Sequence, residues 1–193
     1  MTLKPHDSDD CFKLIDCNDE QLKFLINGPA QKANELRQFL LSGIPCMAIS
    51  KVMIIENTTI MTDDILKLRI GSLPILADKD DFDDHETFEL SIDFEGQSNI
   101  RTMYSNALQG EYKCVYDNIP IVYLNPGQKV KATLIVSKNT GNKHIRWTTC
   151  SVKYKMIEKN SFQFIVEPNS IYSSKRMLEI VSEYLQGSCK QPS

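Results

Sequence analysis

Four apolar residues, Ala33, Leu36, Leu40 and Ile44, recur at helical spacing between Pro29 and Pro45, and Phe39 and Leu41 widen their stripe beyond what one supporting sheet would cover. A helix of this kind buries two faces. One face meets a sheet, and the other is expected to leave Leu36, Phe39, Leu40 and neighbouring residues to be covered by another chain. Pro29 suits the first helical turn, where its missing N–H is no loss, and Gly43 and Pro45 stop the helix and turn the chain. Cys46–Glu56 then reads as a strand. Thr62 is placed to cap a short helix whose first turn carries Asp63 and Asp64, carboxylates that favour a positive helix N-terminus. Ile65, Leu66 and Leu68 are expected to bury that helix, and Gly71 and Pro74 to end it.

Residues 1–19 read as a loose lead-in, followed by a short strand at Leu22–Ile26 that ends on the turn pair Asn27-Gly28. From Thr87 the periodicity changes to two. Phe88, Leu90, Ile92 and Phe94 alternate with Glu89, Ser91, Asp93 and Glu95, the pattern of a half-buried strand, and Ile100–Tyr104 is its expected hairpin mate. Ile119–Leu124 is apolar and β-prone, Asn125-Pro126-Gly127 makes a turn, and Val130, Ala132, Leu134 and Val136 alternate with Lys129, Lys131 and Thr133. Ser161–Glu167 is the last strand. A closing helix follows, in which Met177, Ile180, Val181, Tyr184 and Leu185 form one stripe, with Ser173 or Ser174 as N-cap and Gly187 at its end.

Composition excludes several function classes. A net charge of −3 and a pI near 5.7 do not suit a protein whose main task is gripping phosphates. The lysines between Lys129 and Lys159 read as the wet face of a sheet, or as a surface for an acidic partner, without aromatics at stacking spacing. No apolar run approaches the roughly 20 residues that span a bilayer, and the polar first ten residues do not resemble a secretory signal. Cys11, Cys17, Cys46, Cys114, Cys150 and Cys189 never approach a C-x-x-C pairing. They point to a reducing compartment with no disulfide framework and no zinc site. The acidic run Asp78–Glu86, with His85 inside it, reads as a solvated loop. His6, His85 and His144 all lie in polar contexts, with no nucleophile elbow, metal-ligand spacing or glycine-rich phosphate loop, so catalysis is not expected.

Several motifs stand in fixed register. Ala33-Asn34-Glu35-Leu36-Arg37-Gln38 leads to Ile44-Pro45, then to Glu56-Asn57-Thr58-Thr59, Asp63-Asp64 and Arg69-Ile70-Gly71-Ser72-Leu73-Pro74. Tyr104-Ser105-Asn106-Ala107-Leu108, Leu124-Asn125-Pro126-Gly127-Gln128, Asn142-Lys143-His144-Ile145-Arg146-Trp147 and Phe164-Ile165-Val166-Glu167-Pro168 follow in order. Together they resemble the alpha-like subunits of multisubunit DNA-directed RNA polymerases: the archaeal form, the eukaryotic third-largest subunit and, more distantly, the bacterial alpha amino-terminal domain. The resemblance runs from about Leu22 to Leu185.

It implies an α+β protein with a discontinuous dimerisation domain at 1–52 and 154–193, a sheet with two packed helices, and an inserted mostly-β domain at 53–153. It implies a non-catalytic platform that pairs with a smaller alpha-like subunit and docks the second-largest and other polymerase subunits, meeting DNA only through the complex, with no membrane. The partner-subunit interface would comprise Ala33, Leu36, Arg37, Phe39, Leu40, Leu41, Ile44, Met177, Ile180, Val181, Tyr184 and Leu185. Contacts to large subunits would come from Arg37, Arg69, Lys143, His144, Arg146 and Trp147. The expected location is intracellular, nucleus or cytoplasm, or a virion if the source is viral. Departures from the family point to a divergent branch such as the polymerases of large DNA viruses. Gln38 stands where relatives carry a second arginine, the cysteine cluster that binds zinc or iron–sulfur in many relatives is absent, so no cofactor is expected, and no extended insertion precedes Ser161. A dimeric scaffold unrelated to transcription is the competing reading.

Overall fold

The computed structural model describes residues 11–77, 87–96, 99–169 and 171–188. Its architecture is α+β, and it divides into two compact units, one made of residues 1–44 and 149–193 and the other of 45–148. The divisions expected from sequence fall at 52/53 and 153/154 instead. The strand β3 (Pro45–Asn57) pairs along its length with β8 (Lys129–Thr140) and belongs wholly to the second unit, whereas β9 (Cys150–Glu158) pairs along its length in the first. Ladders do not divide at mid-strand.

The first unit is an antiparallel sheet in the order β1 (Phe12–Cys17), β2 (Leu22–Asn27), β10 (Ser161–Pro168), β9. Its centre joins the two ends of the chain, since β2 pairs with β10. Leu22, Phe24 and Ile26 alternate inward from β2, and Phe162, Phe164 and Val166 do so from β10. Four rings cross the sheet in a row, Phe12, Phe24, Phe164 and Tyr154, with centroids 5.2, 5.3 and 5.2 Å apart. The lead-in expected at 1–19 is thus a strand over part of its length. The alternation in Phe12–Cys17 is masked by a bulge between Leu14 and Asp16, which breaks the period of two.

Helix α1 (Ala30–Gln38) and the π turn that prolongs it, Phe39–Gly43, lie against the β9 side: the Tyr154 hydroxyl donates to Asn34 Oδ1 at 2.8 Å and the Cys150 thiol to the Leu40 carbonyl at 3.2 Å. Helix α3 (Ser174–Ser188) covers β2 and β10. Ser173 caps it, its hydroxyl accepting from the Arg176 N–H, while Gly187 lies inside the helix rather than beyond it.

The second unit holds the sheet β3-β8-β4-β6, with β4 at Thr87–Glu95 and β6 at Leu108–Gln109, and a separate ribbon of β5 (Arg101–Tyr104) and β7 (Pro120–Leu124). β5 is therefore not the hairpin mate of β4. β8 takes that edge instead, pairing Phe88 with Val136 and Phe94 with Val130, because its longer alternating apolar face matches β4 residue for residue. Helix α2 (Asp63–Gly71) packs on β3 through Leu66 and Ile70, while Ile65 and Leu68, expected in the core, are 50% and 65% exposed. A nine-residue helix on one sheet needs only the i, i+4 pair. The acidic run Asp78–Glu86, His6 and Cys189 lie outside the described residues.

Candidate subunit interface

Most of the expected helix stripe is consumed by the chain itself. Leu36 and Leu40 are 1% and 0% exposed, and Ala33, Ile44, Met177, Ile180 and Val181 are buried with them. This corrects the expectation that Leu36 and Leu40 are left for another chain. The sheet extends under the π turn through β9, and α3 lies across its centre, so the two helices and the sheet cover these side chains between them.

What remains is narrower. Phe39, Leu41, Tyr184 and Leu185 are half-buried, as is Arg37. The Phe39 and Tyr184 rings stack at 4.0 Å between centroids and 14° between planes, joining the π turn to the last turns of α3. Gly43 makes this stack accessible, because a Cβ there would come within 2.8 Å of the Phe39 ring. The apolar surface left by the π turn and α3 is therefore a ridge centred on this aromatic pair, with Leu41 and Leu185 the other half-buried apolar residues of the two segments.

The second unit treats its candidates unevenly. Arg69 donates from Nη1 to the Ile121 carbonyl at 2.6 Å, which fastens α2 to β7. Arg146 donates from Nη1 to the Ile49 carbonyl and from Nε to His144 Nδ1 at 3.3 Å, and its guanidinium lies over the Trp147 ring, 5.7 Å from the centroid. Trp147 is buried and donates to the Ser137 carbonyl at 3.0 Å. These three are committed to holding their own unit together. Lys143 and His144 are exposed, and between His144 and Arg146 stands Ile145, 78% exposed, a residue to which the motif gives no prominence.

The remaining motif residues also have internal work. Asn57 accepts from the Thr59 N–H at 3.1 Å and hydroxyl at 2.7 Å, and donates to the Met61 carbonyl and Asp63 Oδ1, both at 2.8 Å, which fixes the entry to α2 without help from the Thr62 side chain. Gln128 accepts from the Asn125 N–H at 2.8 Å and donates to the Thr58 carbonyl at 3.0 Å. The Ser105 hydroxyl donates to the Tyr116 carbonyl and accepts from the Ile119 N–H. Gly96 must be glycine, since a Cβ would stand 2.2 Å from the Asn125 carbonyl oxygen.

The basic stretch is laced with carboxylates. Lys129 meets Glu95 at 3.0 Å, Lys131 meets Asp93 at 3.5 Å and Lys153 meets Glu167 at 2.8 Å. A hydrogen bond from Lys153, with a second from the Ser151 hydroxyl, holds the Glu167 carboxyl below its ordinary range. The Glu95 carboxylate raises Lys129. All are solvent-screened pairs that fix register more than they stabilise.

Cys46, Cys114 and Cys150 are buried thiols, pushed by desolvation to about 12, 11 and 11. Because only the thiolate attacks an alkylating agent, iodoacetamide at about pH 8 is expected to modify Cys11 in the native chain and to reach these three only in denaturant. Mass spectrometry of the digested protein reads the result. Early labelling of Cys46 or Cys150 would contradict the packing. Among the described residues no group of three or more His, Cys, Asp or Glu side chains is arranged to hold a metal ion, and no helix is long and apolar enough to cross a membrane.

Comparison with known proteins is specific. The sequence is 30% identical over 161 residues to DNA-directed RNA polymerase subunit Rpo3 of Methanocaldococcus jannaschii, covering 83% of this chain and 82% of that relative. It is 28% identical over 155 residues to Rpo3 of Thermococcus kodakarensis, covering 77% and 60%. With DNA-directed RNA polymerases I and III subunit rpac1 of Dictyostelium discoideum it shares 29% over 164 residues, covering 68% and 48%. Of these last two it spans less than two thirds of the length. No protein-family model matches the chain.

Proposed function

The chain belongs to the alpha-like family of DNA-directed RNA polymerase subunits that includes archaeal Rpo3, and from that premise we propose that it is a non-catalytic assembly platform that pairs with a smaller alpha-like chain. The supporting observation is the partly exposed ridge of Phe39, Leu41, Tyr184 and Leu185 on the paired helices. A fully buried large apolar side chain gives about 1.5–3 kcal/mol, and these four are already mostly covered, so together they have at most about 2–4 kcal/mol still to contribute. Association costs about 4–15 kcal/mol, so the ridge alone does not suffice and the partner must bring a matching ridge of its own. That requirement favours a chain of the same kind over an unrelated ligand.

In this reading the second-largest and other polymerase subunits dock elsewhere. Arg37, Lys143, His144 and the exposed Ile145 are the side chains offered, whereas Arg69, Arg146 and Trp147 act by keeping α2 and the 145–147 turn in place. DNA is met only through the assembled enzyme. No metal of its own is needed, and the setting is an intracellular, reducing one. The scaffold unrelated to transcription loses its ground once the family is known. Purification of the tagged chain from its source tests the proposal: one smaller alpha-like chain and the large polymerase subunits are expected in equal stoichiometry. Recovery of the chain alone, or as a homodimer, would overturn it.

A further inference from the structure

Unit one has two sheet edges, and they differ. β1 is six residues long and bulged between Leu14 and Asp16, an irregularity of the kind that protects an edge from pairing. β9 runs in unbroken register with β10 from Cys150 to Met156, and only beyond it does the ladder slip. Its far side carries no strand among the described residues. In the second unit, by contrast, the long strand β3 is engaged by α2 and by a bridge from Ala48 to Pro74, and β6 has two residues.

The side chains of this open edge sort by face. Val152, Tyr154 and Met156 stand opposite Val166, Phe164 and Phe162 and share the apolar inner face, yet Met156 is 66% exposed and Tyr154 38%. Ser151, Lys153 and Lys155 occupy the outer face, where Lys153 already meets Glu167 and Lys155 stands exposed. A strand laid along β9 would find alternate N–H and C=O groups for its backbone. It would find apolar neighbours on one side and ammonium groups on the other.

We propose that the β9 edge accepts an extended segment of another protein as a fifth strand, with acidic residues facing Lys153 and Lys155 alternating with apolar residues facing Tyr154 and Met156. Main-chain pairing supplies affinity and the alternation supplies register and choice of partner. The segment would lie along the open backbone edge of β9, whereas the π turn that carries Phe39 meets the same strand through side chains, the Cys150 thiol donating to the Leu40 carbonyl.

The test uses the full chain and a nine-residue peptide of alternating Glu and Val, with an alternating Lys and Val peptide as control. Fluorescence anisotropy is expected to detect only the acidic peptide, and Lys155→Glu to weaken its binding at least tenfold. Lys13→Glu, on the opposite edge of the sheet, should leave it unchanged. Both lysines are exposed, so circular dichroism should match the native chain. Hydrogen exchange should slow at 150–156 when the acidic peptide is bound. The proposal is overturned by absence of binding at millimolar peptide, by equal binding to the Lys155→Glu chain, by protection confined to another segment, or by a single-stranded DNA oligonucleotide displacing the peptide at lower concentration. The last outcome would make the face a nucleic-acid surface.

Discussion

Phe39→Asp is expected to strip the proposed smaller alpha-like partner from this protein while leaving it folded. In the lone chain the ring is partly exposed, so the change forfeits mainly its stack on Tyr184, about 0.5–1.5 kcal/mol by the usual worth of an aromatic pair. In the paired state the carboxylate would be buried without a counter-ion, at about 3–5 kcal/mol. That corresponds to a loss of about 100- to 5,000-fold in affinity. Leu40→Asp is the contrasting variant. Leu40 is fully buried within the chain, so a charge there should unfold the first unit and abolish pairing for a different reason. Co-purification with the partner, read beside circular dichroism, distinguishes the two. A folded Phe39→Asp chain that retains its partner at wild-type yield would remove the ridge from the interface.

Phe164→Ala carries the largest expected loss of stability. Phe164 is fully buried at the centre of the ring row, stacked between Phe24 and Tyr154, on the strand that joins the last part of the chain to the first. Truncating such a residue costs about 3–5 kcal/mol, a large share of the roughly 5–15 kcal/mol that holds a domain folded. The chain has one tryptophan, and Trp147 lies in the second unit. Urea unfolding followed by far-ultraviolet circular dichroism should therefore lose signal early, while the Trp147 fluorescence transition stays in place. A loss below about 1 kcal/mol would mean that the row is not the centre of the first unit's core.

Much of this organisation is legible in the residues because periodicity and turn chemistry agree. The stripe Ala33, Leu36, Leu40, Ile44 and the alternation on β4 and β8 each name an element and its inward face. What the residues alone do not decide is how far one element covers another. The width of the first helix's stripe suggests an uncovered face at Leu36 and Leu40, but the extension of the sheet through β9 hides both. The same limit applies to Arg69, Arg146 and Trp147: their motif positions suggest outward contacts, whereas each closes a hydrogen bond to a carbonyl of its own unit, at Ile121, Ile49 and Ser137. Motif register identifies the family because these side chains fix the fold. That is also why they are poor guides to the docking surface. The strand mate of β4 escapes a sequence reading for a related reason, since adjacency in the chain favours β5 and only the long match with β8 decides.

A photoreactive phenylalanine analogue placed at Tyr184 in the tagged chain, assembled in its source and irradiated, probes the centre of the ridge directly. One adduct is expected, to a smaller alpha-like polypeptide that co-purifies with the large polymerase subunits. An adduct only to a second copy of this chain, or to a protein outside the polymerase, would contradict the account.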